Sequence, residues 1–420
     1  MAGQDVASIA NTTIEGVSDV IPDLTITAQT LADKFSNTRA TRVSNRLFRI
    51  ISKYAMAGGD SRSVSLDGGP LPLGSPAQWL AGGVTPVTTS VAFNWTELTA
   101  MIGQKVDGVA VVNAVTEGLA DLAKMMKNWK DIGLHTDGTG NIGTVSSVAN
   151  KTYTLTTTPF GTRNVEIGQT VDIVNPTGNV TRGSVTIANK TAFLGSLQTF
   201  TYTTPDVPNV AANDIVRYGG LTDGVPKWLN GLRYLVSFAT TGELHGIPRS
   251  TPQVVANGFD MGGSNITRSA IQLLLAQRRA RVRESEIPED FWYTHDAQYE
   301  SLKEIGYDQQ YVPMTGRPGT YDPFFKKVEI EGKGISIGQH ADEQAMYLLC
   351  PASFGTVKFG EPFWPTVNGT RVWNTYNQSG TANLQMVSAY IDPSQYYLDN
   401  APAQGVVTGL GVPAGFLNGQ

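Results

Sequence analysis

The amino-acid sequence predicts an α+β protein with an all-β unit spliced into its middle. Three observations carry that prediction. Apolar residues keep helical spacing over a long segment from about Gln104 to Lys130. The next roughly 90 residues, Thr136 to Pro226, are rich in Thr, Gly, Asn and Val, and their apolar positions alternate as in half-buried strands. From Trp228 onward, helix-like and strand-like segments mix again.

A chain of 420 residues is long enough for two or three domains with sizeable cores. Charged residues make up 16%, against about 25% in an average soluble protein, and Gly, Thr, Asn and Ser fill the gap. Such surfaces suit turns, strands and protein–protein contact. The net charge of −5 excludes a chain that coats phosphate over its whole surface and leaves room only for a local basic patch. The single cysteine, Cys350, rules out an intramolecular disulfide and fits a reducing compartment. Its place in the apolar run Tyr347–Cys350 predicts a small buried hydrophobe. No secretion signal and no membrane-spanning stretch is expected, because no basic start precedes an apolar run and no apolar run is long enough. The Asn-x-Thr/Ser triplets at Asn94, Asn179, Asn189 and Asn368 are then chance matches in an Asn/Thr-rich chain.

Taken in order, residues 1–36 are polar and weakly patterned and predict an extended arm with a short helix near Leu31. A helix is expected over Thr38–Tyr54, where Arg39, Arg42, Arg46, Arg49 and Lys53 recur at spacings of three and four. Val43, Leu47, Ile50 and Tyr54 form the neighbouring apolar stripe. The Gly/Pro/Ser-rich stretch Ala57–Gly83 excludes a long helix, and Ser63–Leu66 with Val84–Phe93 predict a projecting hairpin. The long helix follows, carrying Val106, Val109, Val112, Val115, Leu119, Leu122, Met126 and Trp129 at helical spacing, with Lys124, Lys127 and Lys130 toward its end. Tyr153–Leu155, Ile167–Ile173, Val185–Ile187 and Phe200–Tyr202 then alternate, with turn residues between them, and predict a small barrel or sandwich. Beyond Trp228 the expected elements are a helix over Ile266–Glu284, a strand at Phe291–Tyr293 and a helix at Ala297–Ile305. Paired strands at Val328–Ile330 and Ile335–Ile337 follow, then strands at Tyr347–Cys350 and Thr356–Phe359. Met386–Ile391 is expected to be the final strand before a Gly/Pro/Ala-rich tail.

No arrangement of residues makes a catalytic or metal site, so the chain is not expected to be an enzyme and no cofactor is expected. Gly138, Gly140 and Gly143 fit G-x-G-x-x-G, but a helix precedes them and a strand follows, the reverse of a pyrophosphate-binding turn. The four histidines lie far apart, and His295 beside Asp296 is expected at the surface. Glu284, Glu286, Glu289 and Asp290 next to Arg278, Arg279, Arg281 and Arg283 predict ion pairing rather than a carboxylate pair for glycoside hydrolysis. The candidate interaction site is the basic stripe Arg39, Arg42, Arg46, Arg49 and Lys53, facing a neighbouring subunit, a partner protein or nucleic acid.

The order of these pieces resembles the major capsid proteins of tailed bacteriophages, the Johnson fold. Ile287–Leu302 resembles the family's strand-then-helix, and Tyr347–Gly360 and the closing strand Val387–Ile391 also fit. The resemblance implies an N-terminal arm over 1–57, an extended loop over 58–100 and a spine helix over 101–134. An inserted β-domain would occupy 135–226, an axial domain with the return to the peripheral domain 227–385, and a terminal strand and tail 386–420. It implies a subunit that self-assembles through hexamers and pentamers into an icosahedral shell around double-stranded DNA. Implied with it are a portal, a decoration protein, a virion location and assembly in the host bacterial cytoplasm, without a membrane. Residues 1–36 do not hold a fused scaffold, so a separate scaffolding protein is expected. Some members cross-link subunits through a lysine in the extended loop; there is no lysine between Lys53 and Lys105, which predicts a non-covalent shell. The alternatives are an encapsulin-like nanocompartment, a decoration or tail component, and a carbohydrate-active enzyme with a β accessory domain.

Overall fold

The computed structural model describes residues 31–44, 47–55, 77–96, 114–149, 151–156, 161–190, 198–203, 207, 209–221, 228–283, 287, 289–309, 329–330, 332–338, 340–366, 373–376 and 382–413. The predicted arm before Leu31, the segment Ser63–Leu66 and the first turns of the expected spine helix lie outside these residues.

The first described element is a 3-10 turn, Leu31–Lys34, followed by β1 (Thr41–Arg42), β2 (Phe48–Ala55) and β3 (Gln78–Val84). These strands form an antiparallel sheet in the order β1-β2-β3. The helix expected over Thr38–Tyr54 is therefore replaced by strands. A four-residue spacing, such as Arg49 to Lys53 or Ile50 to Tyr54, fits a strand repeat of two as well as a helix repeat of 3.6. The neighbour β3 supplies the ladder that settles the choice. β4 (Val87–Thr96) pairs with β20 (Ala382–Leu398), from Val87↔Ser394 to Thr96↔Gln385, while its expected hairpin partner, Ser63–Leu66, lies outside the described residues.

Helix α1 (Ala114–His135) is 22 residues long and runs past Lys130 to His135. It leads into β5 (Asn141–Ala149), β6 (Thr152–Leu155), β7 (Thr170–Asn175), β8 (Val180–Lys190), β9 (Gln198–Thr203) and β10 (Ile215–Tyr218). These six close into an antiparallel barrel, β10-β5-β6-β9-β8-β7, with no strand edge left open. Alternation explains the interior: Val171 and Ile173, Val185 and Ile187, Phe200 and Tyr202, and Val216 and Tyr218 all point inward and are buried. Leu122, Met126, Trp129 and Ile132 of α1 join the same apolar cluster. Trp129 meets Tyr218 edge-on at 5.3 Å, and Tyr218 stacks on Trp228 at 4.9 Å, which ties the barrel to the helix beneath it.

The rest of the chain builds two further sheets. A short helix α2 (Leu232–Leu235) precedes the minimal hairpin β11 (Glu243–Leu244) and β12 (Ile247–Pro248). Then come β13 (Asn257–Asp260), helix α3 (Arg268–Arg281), β14 (Phe291–Thr294), helix α4 (Asp296–Gln309), β15 (Glu329–Ile330), β16 (Lys333–Ile337) and β17 (Met346–Leu349). The chain finishes with β18 (Phe354–Lys358), β19 (Trp373–Tyr376), β20 and β21 (Gly405–Thr408). A mixed sheet runs β13-β21-β17-β14-β16-β15. Both of its faces are covered. Met346 and Leu348 of β17 pack with Leu274 and Leu275 of α3, while Tyr347 and Leu349 face Leu134, Leu232 and Leu235. A strand buried on both faces reads as one continuous apolar run, as Met346–Leu349 does. The tail expected after Ile391 is corrected on two counts. β20 continues to Leu398, and β21 enters this sheet between β13 and β17.

Strand β20 is 17 residues long, about 55 Å at strand rise, and organises the last sheet. β4 pairs along one edge, while β18 and β19 share the other. Helix α1 lies against β4 and β20.

Candidate assembly interface

The hairpin β2–β3 is amphipathic across its two faces. Phe48 and Ile50 point inward, with 8% and 4% of their surfaces exposed, and meet Val84, Val357 and Tyr397. Ile51 and Trp79 point outward and are each 60% exposed. Cα pairing sets Arg49 opposite Gly83, Ile51 opposite Ala81 and Lys53 opposite Trp79. With side chains alternating along a strand, Arg49 and Ile51 belong to one face, and Trp79 lies on the same side of the sheet. That face therefore combines the exposed Arg49 with a largely exposed indole and isoleucine, the composition of a protein contact rather than of a solvated edge.

The predicted basic stripe is not one surface. Arg39 lies before β1 and reaches Asp399 at 3.2 Å; its side chain is 79% exposed, so the pair adds at most ~1 kcal/mol. Burial holds the Asp399 carboxyl above the usual carboxylate range, with Asn37 and Arg39 pulling it back. Arg42 sits on β1, donates from Nε to Ser44 O at 3.4 Å and lies over the Phe359 ring. Arg49 is exposed on β2, and Lys53 is placed there by register. Arg46 lies outside the described residues. The residues that sequence reasoning missed are Ile51 and Trp79. The signal was there: Phe48-Arg49-Ile50-Ile51 read with a period of two puts Ile51 on the charged face.

The other chemistry-bearing residues are built into the body. His295 is buried, not at the surface as expected: its Nδ1 accepts the Ala297 N–H at 3.2 Å and caps α4. His135 Nδ1 donates to the Asp131 carbonyl at 2.7 Å, because a carbonyl can only accept, and Nε2 lies 2.8 Å from the Tyr293 hydroxyl. His340 bridges Asn128 of α1 and Asn164 of the barrel. His245 Nε2 accepts the Leu398 N–H at 3.2 Å; burial, with the nearby Arg249 cation, pushes its pKa down to about 3. Asp290 pairs with Arg278 and Lys333, so the expected ion pairing forms there, while Glu284 and Glu286 lie outside the described residues. Cys350 is buried, and Gln404 Oε1 accepts its backbone N–H at 2.8 Å. Gly138 and Gly140, with φ of 85° and 75°, make the turn from α1 into β5. Among the described residues no three His, Cys, Asp or Glu side chains converge to hold a metal, and no helix is long and apolar enough to cross a membrane.

No protein-family model matches the chain, and no curated protein matches it. Solved structures do. A chain of the cyanophage A-1(L) capsid asymmetric unit superposes with a TM-score of 0.54 at 12% identity, covering 97% of this chain and 98% of that one. The capsid of a native GTA particle gives 0.49 at 8% identity, covering 97% and 98%. A chain from Mycobacterium phage Adephagia gives 0.48 at 10% identity, covering 98% and 100%. The cyanophage match carries the fold: over its whole described length the chain has the α+β fold of a phage capsid subunit, the class expected from the order of its segments. The other two scores add no weight.

Proposed function

We propose that this chain is a major capsid protein that self-assembles into an icosahedral shell enclosing packaged double-stranded DNA. The observation that carries the reading is the outward face of β2–β3, which leaves Ile51 and Trp79 in water on a fold shared end to end with a capsid chain. Covering such side chains with a neighbouring copy contributes about 1.5–3 kcal/mol for each. Ring-closing contacts of one copy with the next then make hexamers and pentamers. In this reading the arm, extended loop, spine helix, inserted barrel and axial domain keep the boundaries set out above, with strands β1 and β2 in place of the basic helix. Arg49 flanks the apolar contact and steers it toward an acidic neighbour, whereas Arg42, set opposite Phe48 on the other face, lies over the Phe359 ring. Arg39 anchors its own chain through Asp399. A scaffolding protein, a portal and a decoration protein are the partners, the virion is the location, and assembly takes place in the host bacterial cytoplasm.

Electron microscopy of the purified protein tests the proposal. Closed shells with five-fold and six-fold capsomers, holding nuclease-protected DNA when taken from infected cells, are the expected result. A monodisperse monomer at high concentration overturns it, and shells filled with a protein cargo instead of DNA make the chain a nanocompartment. Heating assembled shells in detergent should release one band at the subunit mass, because the loop lacks a lysine; a ladder of linked subunits refutes the non-covalent shell.

A further inference from the structure

The root of the arm is seated on a buried carboxyl that has too few partners for an anion. Asp131 lies in α1 with 1% of its surface exposed, and its Oδ1 has no hydrogen-bond partner among the described residues. The backbone N–H of Leu31, the first residue of the 3-10 turn, donates to the same carboxyl. Leu31 itself is 3% exposed. Four residues on, Phe35 stacks on Phe354 at 4.9 Å and meets Tyr396 edge-on at 5.8 Å. Asn37 then donates its N–H to Phe354 O at 2.9 Å.

Among the described residues, the charged groups around Asp131 do not neutralise it. From the arm comes Asp33, a like charge; Lys34 of the same turn is directed to Ser336 Oγ and over the Phe291 ring. From α1 come Lys130, whose Nζ pairs with Asp392 Oδ2 at 2.5 Å, and His135, whose Nδ1 donates to the Asp131 carbonyl and whose Nε2 lies 2.8 Å from the Tyr293 hydroxyl. From β20 come Asp392 and Tyr396, and the Tyr396 hydroxyl, held far above its ordinary range by burial, also feels Asp131, Asp392 and Asp33 together. A carboxyl in this setting is stable as the neutral acid and costly as the anion.

We propose that Asp131 is a protonation-controlled seat for the arm: neutral, it holds residues 31–37 on the spine helix and β20; ionised, it releases them. Burial, with Asp33 adding to it against the pull of the Leu31 N–H, raises the carboxyl pKa from 3.8 to about 7. The sign follows from that direction. The unfolded or released form gives up its proton near 3.8, so the stability from the seated acid is complete below that pH. It declines as pH rises and is gone once pH passes about 7. The arm is therefore held in mildly acidic solution and freed in mildly alkaline solution.

Hydrogen exchange of the full-length, unassembled subunit tests this, with protection corrected for the intrinsic pH dependence of exchange. Protection of the 31–37 amides should fall by roughly tenfold or more between about pH 5.5 and about pH 8.5, while β7 of the barrel keeps its protection. Asp131→Asn should abolish that fall, and Asp33→Asn, by removing the like charge, should move its midpoint to lower pH. Flat protection of 31–37 in the unsubstituted protein overturns the proposal. So does an Asp131→Asn subunit with an unchanged pH profile. Should Asp131→Asn fail to fold, an unmoved midpoint in Asp33→Asn overturns it by itself. Because the subunit is unassembled throughout, the outcome stands apart from whether shells form.

Discussion

The barrel and the β4–β20 sheet are both antiparallel β-structure, yet the chain builds them in opposite ways. Every strand pair of the barrel lies between Asn141 and Tyr218, and the barrel closes on itself. The sheet around β20 joins Val87 to Ser394 and Asn37 to Gly355, partners roughly 300 residues apart whose loop-closure cost is met only after the chain between them is placed. A unit assembled from sequence neighbours can be inserted into a body without disturbing its pairing. A unit assembled from the two ends of the chain makes the whole body one cooperative structure. The barrel shares its core with α1, so the helix is the part that belongs to both.

The sharpest way to break this contrast is to cut the chain. A fragment of residues 114–230, which keeps α1 and the barrel, should give a β-rich circular dichroism spectrum and one cooperative melt. The C-terminal fragment 231–420, deprived of β4, should not fold. Failure of the first fragment, or a cooperative melt of the second, reverses the comparison.

Next in size is Lys130→Met. It strands Asp392, 1% exposed, as a buried charge without its cation, and should cost about 3–5 kcal/mol in denaturant titration. Hydrogen exchange should show the loss in β4 and β20 and spare the barrel. A loss shared equally by the barrel strands argues for one folding unit.

A smaller effect is expected from His245, which receives the Leu398 N–H while its own carbonyl accepts the Gly83 N–H at 2.8 Å, linking the hairpin to β20. Its folded pKa, near 3, lies below the unfolded value of 6.5, so the unfolded chain takes up a proton first as pH falls. Stability from neutral His245 is present above 6.5 and is lost progressively toward 3. His245→Gln should flatten that part of the stability–pH curve measured by urea unfolding; an unaltered slope removes His245 from the account.

The smallest effect on the subunit belongs to the pair Ile51→Ser and Trp79→Ser. Each should change monomer stability by no more than about 0.5 kcal/mol, because neither side chain is buried in the subunit. Light scattering should nevertheless show assembly lost. A large loss of monomer stability would mean that the face is already covered within one chain.

Much of the fold was legible because one periodicity fitted each segment. Leu122, Met126 and Trp129 recur only as a helix face, and Phe200-Thr201-Tyr202 only as a half-buried strand. The segment 38–54 was misread because its four-residue spacings satisfy both repeats. The terminal strand β21 was missed because Gly405-Val-Val-Thr is four residues long and lies in a Gly/Pro/Ala-rich stretch. Its strand character comes from β13 and β17 on either side. The candidate site was half legible: the cations of β2 stood out as charges and a period of two would have added Ile51, whereas Trp79 emerges only when β3 sets it opposite Lys53.

By itself the sequence determined the local periodicities, the place of the inserted β-unit between α1 and Trp228, and the reversed order that makes Gly138–Gly143 a turn instead of a phosphate cradle. Each is settled by residues within a few positions of one another. Tertiary structure alone decided that 48–55 is a strand, that β4 lies on β20, that β21 fills the mixed sheet, and that Asp131 is buried under Leu31. Strand pairing and the burial of a charge depend on what the rest of the chain places alongside, and no neighbouring residue carries that information.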